Sequence, residues 1–286
     1  MCADMLQDSR IGRLIEQALQ EDVGFGDITS ESLIPEEHLG RAVLQAKENG
    51  IISGMEVVGI VFQYVDPQTT MAPKIGDGAL VVPGQIIGEV DGPVRAILLG
   101  ERVALNFLQR MSGIATTTHK YVHAIAGTNA RITDTRKTVP GLRMLDKKAV
   151  RDGGGVNHRF GLDQMVLIKD NHIAAAGGIV NAVTACRNYL RARDLKLAIE
   201  VETTSIRQVE EALTCEGLSR IMLDNFSVEE MAGAVRLIDH ALEVEASGGV
   251  NLQTVRLIAE TGVDFISVGA LTHSPQALDI SLEIVT

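Results

Sequence analysis

Residues 131–172 read RITDTRKTVPGLRMLDKKAVRDGGGVNHRFGLDQMVLIKDNH. The stretch opens on RITDT and nears its end at MVLIK, two short apolar runs rich in β-forming residues, with glycine, proline and charge between them. Downstream, LAIEVE, RIMLDN, ALEVEAS and FISVGA have the same form and alternate with helical stretches. Strands alternating with helices predict a parallel α/β sheet or barrel. In an α/β barrel the C-terminal ends of the strands meet at one mouth, so residues distant in sequence converge there. Thr135, Lys169, Glu202, Asp224, Ser247 and Gly269 lie near those ends, and the last four follow one another at about 22 residues, one strand-helix unit each. Six strands stand out where a complete barrel has eight. An irregular or incomplete barrel is therefore expected.

The same stretch concentrates positive charge. Between residues 136 and 170, Arg136, Lys137, Arg143, Lys147, Lys148, Arg151, Arg159 and Lys169 stand against Asp146, Asp152, Asp163 and Asp170, in a chain of formal net charge -11. A local excess of cations in an acidic protein points to a site for a small polyanion. Nucleic acid is not an expected partner, because a pI near 5.1 means an overall field that repels a phosphate backbone. Cys2, Cys186 and Cys215 are scattered without CxxC spacing, which fits a reducing cytoplasm better than a disulfide framework or a zinc site. The opening MCADMLQDSR has no hydrophobic run of the targeting kind, and the most apolar stretch, IISGMEVVGIVF, contains Glu56 and is too short to span a membrane.

At 286 residues, one large or two unequal domains are expected. Ile11, Leu14, Ile15, Ala18 and Leu19 recur at helical spacing. In EDVGFGDIT, Gly24 and Gly26 make a plain turn, since no strand precedes them and no third glycine opens a helix. From Arg41 to Asp91 short strands joined by Gly- and Pro-rich turns surround a helix over Met55 to Val65, an α+β sandwich. A long helix from Ala96 to about Ala126, loosened at Ser112-Gly113, joins the halves. The expected division is an N-terminal α+β open sandwich over residues 1–112, to which the tail from about 275 returns, and an α/β barrel over 113–274.

Glu202 and Asp224 each end an apolar strand, where a carboxylate needs a cation or hydrogen-bond donors. A structural salt bridge satisfies that as well as a shared divalent metal does; magnesium characteristically takes one or two carboxylates with waters and phosphate oxygens. Glu200 shares the face of Glu202 and is a candidate supporting partner. SGGV and VGAL end the last two strands, each before a helix, which suits either a phosphate or a simple turn. Arg136 and Arg159 have the side chain that grips a carboxylate through two parallel bonds. Arg102 beside Glu101, and Arg143, Lys147, Lys148 and Arg151 after Pro140, read by default as solvated helix charges. No serine-histidine-aspartate order, GxSxG elbow, HExxH pair or P-loop is present.

The runs DTRKTVPGLR, GGGVNHR and IKDNH, with EDVGFGDIT and GERVALNFLQRMSGIAT before them and EVE, LDNF, ASGGV and VGALTHS after them, closely resemble the quinolinate phosphoribosyltransferase family. The resemblance covers essentially the whole chain. It implies a seven-stranded barrel and transfer of phosphoribose from phosphoribosyl pyrophosphate (PRPP) to the ring nitrogen of quinolinate. Carbon dioxide and pyrophosphate leave, and nicotinate mononucleotide, a precursor of NAD, is formed. By the same resemblance Lys137, Glu202 and Asp224 are catalytic, with Lys137 between the two substrates and the two acids facing the ribose and Mg2+. Arg102, Arg136, His158, Arg159 and Lys169 hold the dicarboxylate; Ser247, Gly248, Gly249, Gly269 and Ala270 hold the ribose 5-phosphate. Arg102 would reach the neighbouring subunit's site, which implies a homodimer, open to further assembly. A nicotinate-specific transferase and a molybdenum-associated relative of the same fold are alternatives, as is a silent barrel that only binds a phosphorylated metabolite.

Overall fold

The computed structural model describes residues 9–285; residues 1–8, with Cys2 and most of the opening segment, and residue 286 lie outside the described residues. The chain begins with α1 (Ser9–Val23), α2 (Ile28–Leu33), β1 (Leu39–Ala46), β2 (Gly50–Ile51), α3 (Met55–Val65), β3 (Thr70–Pro73), β4 (Leu80–Val81), β5 (Ile86–Pro93) and α4 (Val94–Ala124). It continues through β6 (Arg131–Thr133), α5 (Arg143–Asp152), β7 (Val166–Ile168), α6 (Asp170–Ala176), α7 (Ile179–Ala192), β8 (Ile199–Thr203) and α8 (Ile206–Leu213). The last elements are β9 (Arg220–Asp224), α9 (Val228–Ile238), β10 (Glu243–Ser247), α10 (Val255–Glu260), β11 (Phe265–Ser267), α11 (Ala270–His273) and β12 (Ile280–Val285). Among the described residues no helix is long and apolar enough to cross a membrane.

Two units result. The first takes the described residues up to Thr117, Val139–Gly154 and those from Ser274 on; the second takes Thr118–Thr138 and Gly155–His273. The first is built on an antiparallel sheet of order β12-β1-β5-β3, with β2 and β4 paired separately. Helix α3 packs on β3 and buries Val57, Val58, Val61 and Phe62, while α1 packs on α3 through its buried Ile11 and Ile15. In EDVGFGDIT, α1 ends at Val23, residues 24–26 make the turn, and Asp27 caps the first turn of α2 by accepting from the Ser30 N–H at 3.0 Å.

Residues 139–154, although they lie between β6 and β7 in the chain, group with the first unit, and paired charges hold them there. Fully buried Asp146 on α5 accepts two N–H groups of Arg110 at 3.0 and 2.9 Å. Lys148 is shared by Asp77 at 2.5 Å and Asp152 at 2.6 Å, and Ser53 Oγ donates to Asp152 at 2.5 Å. Paired charges therefore tie residues 139–154 into the first unit. They also correct the solvated reading of this helix: Lys147 is buried and Lys148 mostly so, whereas Arg151 is exposed.

Helix α4 runs unbroken for 31 residues, without the loosening expected at Ser112-Gly113. Those small residues instead admit neighbouring backbone. Ser112 Oγ accepts from Ser53 N–H at 3.0 Å and donates to its carbonyl at 3.2 Å. A Cβ on Gly113 would collide with the carbonyl oxygen of Gln276, in the segment that leads to β12.

The second unit is a parallel sheet of order β6-β11-β10-β9-β8-β7 clothed by helices, an α/β barrel of irregular form. A seventh passage is reduced to one bridge, Val156 beside Thr133. Among the described residues no ladder joins Val156 to β7, so the ring stays open there. Alternation sends buried Val201, Ile221, Leu223, Val244 and Ala246 to the helix side and Glu200, Glu202, Met222 and Glu245 to the inside.

Gly113→Ala should lower stability by about 1–3 kcal/mol, because the added methyl forces the Gln276 backbone away. Urea denaturation of the variant checks this; an unchanged midpoint would mean that the tail is not held against α4.

Candidate active site

The strand ends of the second unit surround a cavity of about 760 Å³. Arg136, Lys137, His158, Arg159, Lys169, Glu202, Asp224, Ser247, Gly248, Gly249, Gly269 and Ala270 all line it. Arg102 does not; it is exposed on α4, in the part of that helix belonging to the first unit.

Each cation is placed by its own local device. Lys137 donates its backbone N–H to Thr135 Oγ1 at 3.0 Å, and its carbonyl accepts from Thr272 Oγ1 at 2.9 Å. A Cβ on Gly269 would come within 3.2 Å of Lys137 Cδ and of His273 Cδ2, so glycine there leaves room for both side chains. Lys169 precedes α6, and its N–H is accepted by His172 Nδ1 at 3.0 Å, which gives the IKDNH motif a structural role. Its ammonium pairs with Glu202. Arg159 donates from Nη1 to the Met165 carbonyl at 2.9 Å. Burial, and secondarily the nearby Arg136 charge, hold its guanidinium below the ordinary arginine value, with Glu200 opposing both. Two guanidinium groups that disfavour one another in a half-buried wall are an invitation to an anion.

The rest of the lining is acidic and glycine-rich. Glu202, nearly buried, and Asp224, half-buried, come from neighbouring strands β8 and β9. Asp224 accepts from Asn225 Nδ2 at 2.9 Å. Gly248 and Gly249 both have left-handed backbones, φ +91° and +61°, and a Cβ on Gly248 would lie 2.9 Å from the Asn225 nitrogen. Successive N–H groups in such a turn form a concavity suited to an anion. Those of Gly248, Gly249 and Gly269 find no acceptor among the described residues. The helix expected directly after SGGV starts only at Val255, so this loop presents its own backbone and not a helix terminus; α11 does open directly after Gly269.

Beneath the cavity lies a buried polar cluster. Glu200 and Glu245 are wholly inaccessible, and burial pushes both carboxyls up to about 7; for Glu245 the neighbouring Glu200 adds to the rise. Arg220, donating to Glu245 at 2.8 Å, opposes it, as does Ser267, which donates to the other oxygen. His158 Nε2 lies 3.2 Å from Glu200 and 3.5 Å from Glu245, while its Nδ1 accepts the Arg159 N–H at 2.8 Å. Both ring nitrogens are thus engaged inside the protein, although the ring edges the cavity. His158, Glu200 and Glu245 are close enough to hold a metal ion, but the Arg220 guanidinium already supplies the positive charge at Glu245. Asp134, buried, accepts from His158 N–H at 2.9 Å and Asn157 Nδ2 at 2.6 Å and so anchors the NHR segment.

Sequence reasoning missed Glu245, Arg220, Asp134, Asn225 and His273. For Asn225 a signal existed, since asparagine tolerates the left-handed conformation it adopts at φ +57°.

Two family models match the chain: the N-terminal domain of quinolinate phosphoribosyl transferase over residues 27–112 and its C-terminal domain over 114–283. Quinolinate phosphoribosyltransferase [decarboxylating] 1b of Nicotiana tabacum is 48% identical over 288 residues, covering 96% of this chain and 82% of the tobacco protein. The probable nicotinate-nucleotide pyrophosphorylase [carboxylating] of Synechocystis is 46% identical over 275 residues, covering 95% and 91%. Among solved structures, the nicotinate-nucleotide pyrophosphorylase from Francisella tularensis superposes with a TM-score of 0.92 at 38% identity, covering 96% of each chain.

The raised carboxyl values carry a sign. A folded state that binds these protons more tightly than the unfolded chain gains stability below the ordinary value of 4.5, and loses it as pH rises through about 7. Glu245→Gln, neutral at every pH, should flatten the fall in melting temperature between about pH 5 and 8 relative to the parent. Parallel melting curves for the two proteins would show that Glu245 is already ionised at the lower pH.

Proposed function

The chain belongs to the quinolinate phosphoribosyltransferase family, and we propose on that premise that its second unit joins quinolinate to PRPP. The products are nicotinate mononucleotide, carbon dioxide and pyrophosphate, and the reaction serves NAD biosynthesis. The observation that carries this reading is one cavity with its charge divided: Arg136, Lys137, Arg159 and Lys169 against Glu202, Asp224 and two glycine loops. Its volume of about 760 Å³ suits two small substrates.

Arg136, Arg159 and Lys169 hold the two ring carboxylates, and the repulsion between the guanidinium groups is relieved when the dianion arrives. Ser247, Gly248, Gly249, Gly269 and Ala270 take the 5-phosphate, which orients the ribose with its C1 toward the ring nitrogen. As the bond from C1 to the pyrophosphate oxygen breaks, positive charge grows on the sugar, where Glu202 and Asp224 stabilise it. Lys137 meets the negative charge gathering on the departing pyrophosphate. The ring nitrogen then bonds to C1. The bond from the ring to its adjacent carboxylate breaks next, the pyridinium accepts the electron pair, and a proton replaces carbon dioxide on that carbon.

Glu202 and Asp224, hard oxygen donors facing one cavity from adjacent strands, are the residues that would hold Mg2+. When bound, that ion supplies further neutralisation of the pyrophosphate charge. Arg102, exposed on α4, completes the neighbouring subunit's dicarboxylate site in a homodimer. The enzyme is assigned to the cytoplasm on the scattered cysteines of its sequence.

The direct test supplies Mg2+ and PRPP with quinolinate or nicotinate in parallel. Nicotinate mononucleotide and carbon dioxide are expected from quinolinate alone, and from that mixture Lys137→Ala should form them about 100-fold more slowly while melting like the parent. Product from nicotinate would mean that the basic wall has been misread. For the shared site, mixing Arg102→Ala with Arg136→Ala should restore part of the activity that each lacks, because one of the two sites in a mixed dimer keeps both arginines. Verified mixed dimers without recovery would return Arg102 to its own subunit.

A further inference from the structure

One acid at the heart of the buried cluster has no part in the steps above. Glu245 is wholly inaccessible and does not line the cavity, yet both of its oxygens are held. Ser267 Oγ donates to Oε1, and Arg220 Nη1 donates to Oε2 at 2.8 Å. Arg220 is fixed in turn. Its Nη2 and Nε donate to Glu243 at 2.8 and 3.2 Å, and its guanidinium lies 3.8 Å from the centre of the Phe265 ring. Beyond Glu245, His158 Nε2 sits between the two acids, 3.5 Å from the same Oε2 and 3.2 Å from Glu200 Oε2, and His158 Nδ1 accepts the Arg159 N–H at 2.8 Å. A continuous series of contacts therefore runs from Arg220, at the start of β9, to the backbone of Arg159 in the cavity wall.

Burying an ionisable group is costly, and an apolar side chain of similar volume generally serves packing as well or better. Glu245 thus has little to offer as mere core. Its place in the series gives it something else to do: orient the imidazole whose other nitrogen fixes Arg159. The engagement of both His158 nitrogens points the same way, since the ring has no remaining N–H to offer a carboxylate.

We propose that Glu245 is a positioning residue for the aromatic dicarboxylate, setting through His158 the point from which Arg159 meets the ring carboxylates. This rests on the reading of the cavity as the quinolinate site. His158 then contributes to quinolinate binding through Arg159, and Ser267 and Arg220 contribute by holding Glu245.

Steady-state kinetics of Glu245→Ala and Glu245→Gln beside the parent, with folding verified by melting curves, test the proposal. Product formation by the parent tests the underlying reading by itself, and the variants test the positioning. Glu245→Ala should raise KM for quinolinate about tenfold and leave KM for PRPP within about twofold, because only the dicarboxylate contact is displaced. Glu245→Gln, which keeps an acceptor oxygen, should recover most of the lost quinolinate affinity. A fall in kcat alone, or equal changes in both KM values, would overturn the proposal by reducing Glu245 to general support. Should Glu245→Ala fail to fold, Arg220→Lys, at a residue outside the cavity lining, must show the same split at about threefold, and its absence there would be equally decisive.

Discussion

Two carboxyl groups packed out of reach of water inside a parallel barrel are the constraint on which the second unit depends. Glu200 and Glu245 face inward from β8 and β10, where apolar side chains would ordinarily fill the centre. Their desolvation is partly offset by Arg220, His158 and Ser267, which arrive from three other segments of the chain, while Glu200 Oε1 has no hydrogen-bond partner among the described residues. Each of those partners is fixed by the requirement to meet the acids. A polar interior of this kind is demanding, since any member left unmatched destabilises the rest.

The cavity divides its labour along the same lines. Ladder-bonded strands supply Glu202, Asp224 and Ser247, and the turns after them supply the glycines. The cations come instead from segments just outside regular structure, each braced by a short-range hydrogen bond: Lys137 by Thr135, Lys169 by His172, Arg159 by His158. Charge that develops during phosphoribosyl transfer would meet groups already in place, the condition under which electrostatic stabilisation is most effective.

How much of this was visible in the sequence depended on whether the signal was local. The six strand runs were legible because alternation and β-branching are properties of adjacent residues, and the residues at their ends were found with them. Lys147 and Lys148 were misjudged because their helical spacing is the same whether the face meets water or Asp77. Ser112-Gly113 looked like a weakness in a helix, and only the approach of Ser53 and Gln276, far away in sequence, explains it. Glu245 was the hardest to see. In ALEVEAS it has the same local pattern as Glu243, yet Glu243, at the start of the strand, is exposed and Glu245 is buried, and the partners that hold Glu245, Arg220 and Ser267, come from other strands.

The interruption between Val156 and β7 divides the mouth of the barrel into a laddered part and a part without a ladder. Glu202, Asp224 and Ser247 sit on strands held by parallel ladders. The segment carrying Arg159 bridges the one stretch of rim without a ladder and is held by side chains, Asp134 to His158 and Asn157, and Gln164 to the Phe160 N–H. Residues 157–165 can therefore vary without breaking a strand ladder, whereas Arg136 and Lys169 of the same cavity lie outside that segment. A library confined to that segment would reshape the Arg159 side of the cavity and leave the laddered strands intact.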